Sequence, residues 1–331
     1  MIDSIIWIFT AKCNLNCKHC YISPRFKNLR ELSLKEKLIL IRDAAELGIE
    51  YIGFSGGEPL IHKDFPILLE ETYSYDMDSN FITNGLYYSS KILNLLKRIH
   101  THIYVSLDGV RRETYEYIRG KGLWDRAINF LEILKKNDID FSLIMSINKI
   151  NYHEVGEYIR FSEKIGALNA CIIPTMKSGN AYINNLYIDS EKCFKAIRLA
   201  DNVSDEIGFP VSFWCMPFVG LIVRSKYVRY GFCRLWNNID IDPAGRILLC
   251  DIIDIVVSDI REKGLRKAVE EFEENNMVKK LIDTNSVPKE CKNCKFVYKC
   301  LGGCYARAYI ENGRLDMPDP LCPRISGLLY L

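Results

Sequence analysis

Through the first two-thirds of the chain, short apolar runs rich in β-branched and aromatic residues alternate with longer stretches whose apolar positions recur at helical spacing. That alternation is the pattern of βα units, which build a parallel sheet with helices packed on it. Six strands are expected, over 4–9, 51–54, 80–83, 103–107, 141–147 and 169–173. Helices are expected at 34–47, from Asp64 onward, and at 89–98, 123–136, 152–165 and 190–207. Ser33 and Glu36 have capping-box spacing ahead of the first helix, and Gly48 stops it. Six units are too few to close an eight-fold barrel, so the pattern points to an open, curved partial barrel or a doubly wound sheet.

In both architectures ligands lie beyond the C-terminal ends of the strands. The chemically unusual residues fall there. Cys13-Asn14-Leu15-Asn16-Cys17-Lys18-His19-Cys20 follows strand one, with three thiols spaced closely enough to reach one metal centre. An iron–sulfur cubane takes four thiolates, so three with no fourth nearby leave one iron without a protein ligand. An open position is what separates a catalytic metal site from a closed structural one. The local spacing also suits a zinc site completed by His19, or three buried thiols. Ser55-Gly56-Gly57-Glu58-Pro59 follows strand two. Its glycines allow close backbone approach, and Glu58 can accept charge-assisted hydrogen bonds from an ammonium group. Strands three and four end in Thr83-Asn84-Gly85 and Ser106-Leu107-Asp108-Gly109, and strand six leads into 174–181. Asn84, Ser106 and Asp108 suit the hydroxyls of a ribose or a substrate. Glycine and asparagine also favour turns on their own account.

At 331 residues the chain has room for two domains and can bury about three-quarters of its unfolded surface without disulfides. Its 44 basic and 42 acidic residues leave a net charge of +2, which argues against a nucleic-acid footprint. The longest apolar run, 213–223, is shorter than the ~18 residues that span a bilayer. The first residues enter a strand without a basic leader, so a cytoplasmic location and no membrane partner are expected. Thirteen cysteines in that compartment point to metal or redox chemistry rather than disulfides.

After Pro210 the βα rhythm stops, which divides the chain into 1–210 and 211–331. Asp242-Pro243-Ala244-Gly245 is a turn leading to Cys250, so a hairpin is expected to carry Cys233 and Cys250 to one end. The charged segment 260–282 reads as a solvated helix lying over the barrel. Cys291-x2-Cys294-x5-Cys300-x3-Cys304 then follows, with Cys322 seventeen residues further on. Zinc favours closed four-cysteine sites, yet these seven cysteines do not divide into whole four-ligand sets. Cys171, Cys193 and Cys215 remain.

The CxxxCxxC loop with His19 before its last cysteine, and GGEP on the next strand end, resemble the radical S-adenosylmethionine (SAM) superfamily. Gly245-x4-Cys250 followed by the C-terminal cysteine run resembles the SPASM domain of radical SAM maturases, such as anaerobic sulfatase-maturating enzymes. Together the two resemblances cover 4–322. They imply a partial (β/α)6 TIM-like barrel followed by a small cysteine-rich domain with a β-hairpin and short helices. Cys13, Cys17 and Cys20 would hold a [4Fe-4S] cluster whose open iron binds the amino and carboxylate groups of SAM. An electron from the cluster would release a 5′-deoxyadenosyl radical that abstracts hydrogen from a substrate. Gly56, Gly57 and Glu58 would hold the SAM amino group, Arg119 its carboxylate, and Asn84, Ser106 and Asp108 the ribose or methionine. His19 would lie beside the adenine. Cys291, Cys294, Cys300 and Cys322 would hold an outer auxiliary [4Fe-4S] cluster, and Cys233, Cys250 and Cys304 an inner one. The inner cluster's fourth ligand is either Cys215 or an open iron. Asp251 is either a catalytic base, as in sulfatase-maturating relatives, or the cap of a turn.

The expected partners are a peptide or protein substrate and a low-potential electron donor such as ferredoxin or flavodoxin. With strand one at the start of the sequence, no N-terminal peptide-recognition domain is expected. A small-molecule target, such as a tetrapyrrole or another cofactor precursor, is the alternative within the family. A non-catalytic iron–sulfur or zinc scaffold or electron carrier is the alternative from another class; it leaves GGEP and the aligned strand ends without a role.

Overall fold

The structure is a computed structural model and describes residues 2–231 and 237–329. Eleven strands form one sheet: β1 (Ser4–Thr10), β2 (Tyr51–Gly56), β3 (Asp78–Thr83), β4 (Thr101–Ser106), β5 (Phe141–Ile147), β6 (Ala170–Pro174), β7 (Val211–Phe213), β8 (Val228–Tyr230), β9 (Asn238–Ile241), β10 (Arg246–Cys250) and β11 (Ile253–Asp259). Their order is β11-β10-β9-β1-β2-β3-β4-β5-β6-β7-β8. Strands β1 to β8 pair in parallel and in sequence order, as βα units dictate. Their β-branched and aromatic side chains are buried between helices outside and the cavity wall inside, which is why β5 is buried almost along its whole length.

Eight helices accompany these strands: α1 (Leu34–Glu46), α2 (Phe65–Ser74), α3 (Ser90–Leu96), α4 (Arg112–Arg119), α5 (Trp124–Lys136), α6 (Val155–Ile165), α7 (Gly179–Ile183) and α8 (Ser190–Ile207). The capping box expected at α1 is formed in both directions between Ser33 and Glu36. The main core lies between sheet and helices, where Trp7, Phe9, Phe54, Phe65 and Phe81 pack ring against ring. Each such pair adds about 0.5–1.5 kcal/mol beyond area burial.

The mixed α/β partial barrel agrees with expectation, and three details differ. First, parallel pairing continues past Pro210 into β7 and β8, which are three residues each and too short to show a period. Second, the hairpin is present, but it extends the barrel's own sheet: β9 pairs in parallel with β1, and β10 and β11 add antiparallel strands beyond it. The cysteine at the end of β10 is thereby brought beside the loop that leaves β1. Third, the segment 260–282 is three short helices, Ile260–Lys263, Leu265–Glu274 and Asn276–Ile282, because Gly264 and Asn275 interrupt it. Cys233 falls outside the described residues. Among the described residues no helix is long and apolar enough to cross a membrane.

Candidate active site

The loop between β1 and α1 is gripped from four directions. From β2, the Gly57 N–H donates to the Thr10 carbonyl and the Glu58 N–H to the Lys12 carbonyl, both at 2.8 Å. The two backbones are so close that a Cβ on Gly57 would lie 1.9 Å from the Lys12 oxygen, and one on Gly56 2.3 Å from the Thr10 oxygen. The glycines of this motif therefore serve close approach to the cysteine loop itself. From β3, Asn84 Nδ2 donates to Asn14 Oδ1 at 2.8 Å. At the end of α4, the Ile118 carbonyl accepts from the Lys18 N–H at 2.9 Å. From α7, the Asn180 N–H donates to the Cys20 and Ser23 carbonyls, and its side chain donates to Asn16 Oδ1 at 2.8 Å and to the Cys17 carbonyl at 3.1 Å. Gly179, with φ +55°, faces the carbonyls of Cys20, Tyr21 and Ser23 at a distance where any Cβ would collide.

The gripped loop holds Cys13 and Cys20 near enough to Cys17 for their charges to be felt there. Burial raises the Cys17 thiol to about 12, and Arg119 only partly offsets this, while ionised Cys20 and Cys13 would raise it further. Cys13 is also raised, first by burial. A free trio of thiolates is unfavourable here, and a cationic metal centre removes the conflict.

One cavity of about 1260 Å³ opens beside this loop. At one end its wall includes Cys13, Cys17, His19, Cys20, Glu58, Asn84, Ser106 and Arg119, which gathers all but one of the SAM-contact residues expected from sequence. The exception is Asp108, which does not reach the wall and has no exposed surface. It stands behind two residues that do: its Oδ2 accepts from Arg119 Nε at 2.6 Å and lies 3.1 Å from His19 Nε2. Its Oδ1 accepts from the Ser146 N–H at 2.7 Å. Asp108 is a positioning residue: it has no exposed surface for a ribose to reach, and it acts through the two cavity-facing groups it holds. Burial opposes the charge on Arg119, and Asp108 and then Cys17 more than compensate, so the guanidinium stays protonated. Burial also lowers the His19 ring below its ordinary value, with Asp108 offsetting in part. The neutral ring has its Nδ1 buried without a hydrogen-bond partner.

Glu58 is buried at the start of a short 3₁₀ turn, where its Oε1 accepts from the Leu60 N–H and Thr83 Oγ1 and its Oε2 from the Asn84 N–H. Burial raises its carboxyl, while these donors and Arg119 favour the anion. An ammonium placed here would complete its charge balance.

The far end of the cavity carries the second group of chemically active residues: Cys215, Asp240, Cys250, Asp251 and Tyr305. Tyr21, directly after the cysteine loop, donates its hydroxyl to Asp251 Oδ2 at 2.7 Å, and Arg25 Nη1 donates to the Asp251 carbonyl at 2.8 Å. The Asp251 N–H donates to Asp240 Oδ2 at 2.8 Å. One ligand-type atom each from Asp240, Cys250 and Asp251 lies within 4.8 Å of the others. Burial raises the Asp251 carboxyl above the ordinary carboxylate range, with Tyr21 and Arg25 opposing. Asp251 stands in the turn between β10 and β11 and lines the cavity.

Around this end the C-terminal cysteines gather in two sets. Tyr305 donates its hydroxyl to the Leu249 carbonyl at 2.6 Å, which draws Cys304 toward Cys250, close enough for each charge to be felt by the other. Cys291 is raised to about 11, first by burial and then by Cys322, with Cys294 also contributing. Cys300 ends the short helix Val297–Cys300, between Cys294 and Cys304 in the chain. A buried bidentate pair, Arg307 Nε and Nη2 with Asp319 Oδ1 and Oδ2 at 3.0 and 2.6 Å, ties the region together. Asp319 also accepts from the Cys304 N–H, and Arg307 Nη2 donates to the Cys215 carbonyl at 2.5 Å. Asn180 lies in the stretch 174–181 singled out after strand six, whereas Tyr21 and Arg25, which reach Asp251 across more than 200 residues, and the pair Arg307 and Asp319 were not singled out.

The donor chemistry fits the cofactors the sequence implied. Three loop thiols lining one cavity suit an iron–sulfur centre with an open iron. The carboxylate Glu58, the cation Arg119 and the unpartnered His19 Nδ1 offer complementary partners to an amino acid and an adenine.

The family model of the radical SAM superfamily matches residues 7–162. An AdoMet-dependent heme synthase of Methanosarcina barkeri is 24% identical over 347 residues, covering 96% of this chain and 95% of the relative. The mycofactocin maturase MftC of Mycolicibacterium smegmatis is 24% identical over 325 residues, covering 96% and 82%. Among solved structures, native anSMEcpe with bound AdoMet and Cp18Cys peptide superposes with a TM-score of 0.76 at 16% identity, covering 98% of this chain and 95% of that one. That likeness extends the shared fold over both ends of the cavity. The family match spans the cysteine loop, GGEP, the strand that ends in Ser106 and the helix that ends in Arg119, so residues 7–162 form a radical SAM domain.

Proposed function

We propose that this enzyme modifies a side chain of a peptide or protein by radical chemistry started on SAM. The observation that carries this reading is the single cavity joining the cysteine loop to the Cys250–Asp251 end. Pockets for one small ligand run about 300–1,000 Å³, and a cavity of about 1260 Å³ leaves room for a substrate side chain beside SAM. The names of the maturase MftC and of the peptide-bound anSMEcpe structure support a peptide target.

In this reading Cys13, Cys17 and Cys20 hold the cluster, Glu58 binds the SAM ammonium, Arg119 its carboxylate, and Asn84 and Ser106 the ribose, while His19 meets the adenine. When bound, the cluster and SAM supply a one-electron reductive cleavage of a carbon–sulfur bond, the electron coming from a low-potential donor protein. Cys291, Cys294, Cys300 and Cys322 hold an outer auxiliary cluster. Cys250 and Cys304, with Cys233, hold an inner one, and Cys215 lines the same cavity end. Asp251 accepts the proton that leaves the substrate: it faces the cavity, burial raises its affinity for a proton, and Tyr21 fixes its orientation.

The test incubates the anaerobic, iron-loaded protein with SAM, reductant and a library of short peptides, followed by mass spectrometry. A mass change is expected with wild type. Asp251→Asn is expected to keep deoxyadenosine formation and lose the modified peptide; normal product from that variant removes the base assignment. A small-molecule target is the second reading, favoured by full-length similarity to a heme synthase. Turnover of an iron porphyrin in place of the peptide would establish it.

A further inference from the structure

Among the described residues, five large apolar side chains are more than half exposed: Tyr87 (52%), Tyr117 (51%), Tyr182 (61%), Ile183 (68%) and Tyr298 (79%). Four of the five stand within three residues of a contact that grips the cysteine loop. Tyr87 follows Asn84, which holds Asn14; Tyr117 precedes Ile118, whose carbonyl holds Lys18; Tyr182 and Ile183 lie between Asn180 and Asn184. Asn184 Nδ2 itself donates to the Lys18 carbonyl at 3.2 Å. Scattered exposed apolar residues need no explanation, but a concentration of them around one loop does.

The centre of this collar is basic. Lys18, between Cys17 and His19, lays its ammonium 3.6 Å from the centre of the Tyr117 ring. Lys121 is exposed just past the end of α4. Among the described residues, no carboxylate pairs with either lysine, whereas the nearby Arg111 and Arg112 are neutralised by Glu157 and Asp125. The net result is an apolar rim with uncompensated positive charge, directly outside the peptide bond that joins buried Cys17 to Lys18. Substrate chemistry, in the reading proposed above, belongs inside the cavity, at Asp251.

We propose that this collar is the docking surface for the enzyme's electron carrier, a small acidic protein whose redox group reaches its surface inside an apolar patch. The inference rests on reading Cys13, Cys17 and Cys20 as the ligands of a reducible cluster. In the docked pair one electron leaves the carrier and one enters the cluster, with no bond or proton moved. Apolar contact provides the close approach, and the lysines steer the acidic partner, so association should weaken with salt.

The experiment compares wild type with the double variant Tyr182→Glu, Ile183→Glu, both as iron-loaded holoenzymes. Two probes are used, an acidic [4Fe-4S] ferredoxin and a flavodoxin. Complex formation with each oxidised carrier is measured by calorimetry. Deoxyadenosine formation from SAM is then measured with either reduced carrier or with dithionite. The expected result is carrier affinity and carrier-driven rate reduced about tenfold or more in the variant, with dithionite-driven rate unchanged within about twofold. Equal carrier affinity in the two proteins would overturn the proposal. So would a wild type that works with dithionite but binds neither carrier, or a variant that instead changes oligomeric state. A wild type that makes no deoxyadenosine even with dithionite would instead overturn the underlying reading of the cysteine loop.

Discussion

Asp108 shows how a single side chain can matter to a site it does not touch. With no exposed surface, it holds Arg119 and His19, the cation and the ring at the SAM end of the cavity. Asp108→Asn preserves shape and removes the charge that both partners use. Losing one member of a buried, hydrogen-bonded charge pair costs about 2–5 kcal/mol. SAM affinity, followed by the change it induces in the cluster's electron paramagnetic resonance, should therefore fall by about tenfold or more, with iron content unchanged. Glu31 plays a comparable part at the foot of the loop. Its Oε1 accepts from Thr10 Oγ1 at 2.8 Å and from the Ala11 N–H at 2.9 Å, and its Oε2 lies 3.6 Å from His62 Nε2. Burial pushes its carboxyl up, but His62, Ala11 and Thr10 prevail and hold it at about 2, against an ordinary 4.5. A carboxylate depressed on folding stabilises the protein above its unfolded value and loses that contribution as pH falls. The stability difference between wild type and Glu31→Gln should be on the order of 3 kcal/mol at pH 7. It should shrink as pH drops through 4.5 toward 2, as read by denaturant unfolding at each pH.

At the level of elements, the cysteine loop is shaped less by its own sequence than by the strand ends and helices that hold it. Gly57 is the most demanding of these contacts, because a methyl there would lie 1.9 Å from the Lys12 oxygen. Gly57→Ala must push the β2 end and the loop apart. It should lose about four irons per chain, those of the SAM-binding cluster, and keep the auxiliary ones; iron analysis with resonance spectra distinguishes the two sets. The elements themselves were largely legible, since long buried strands such as β5 and amphipathic helices such as α8 carry strong periods. Short ones were not. β7 and β8 have three residues each, and α4 turns only Tyr115 and Ile118 inward, too few to stand out from the charged residues around them. The thiols, GGEP and Arg119 were legible because each follows a strand or motif of recognisable type. Tyr21 and Arg25 were not, because their partner Asp251 is more than 200 residues away, and nothing local distinguishes Arg307 and Asp319.

For the molecule as a whole, the decisive feature is that the C-terminal hairpin joins the barrel sheet beside β1. This register puts Ser4 opposite Asn238 and Ile6 opposite Asp240, so the strand before the cysteine loop and the strands leading to Cys250 share one wall. The cysteine loop and the Cys250–Asp251 turn therefore line one cavity, with Tyr21 and Asp251 hydrogen-bonded to each other. Sequence spacing could announce two cysteine regions but could not show that they meet, because their meeting depends on a pairing between residues more than 200 positions apart.

The central claim is that three loop thiols present an open iron to SAM. It is tested most directly by measuring 5′-deoxyadenosine formed from SAM by the anaerobically prepared, dithionite-reduced protein. The account predicts deoxyadenosine from wild type, with iron near about twelve per chain, and none from Cys17→Ala. Wild-type protein that carries iron in all its cysteine sites yet leaves SAM intact, or Cys17→Ala that cleaves it as well as wild type, would contradict the account.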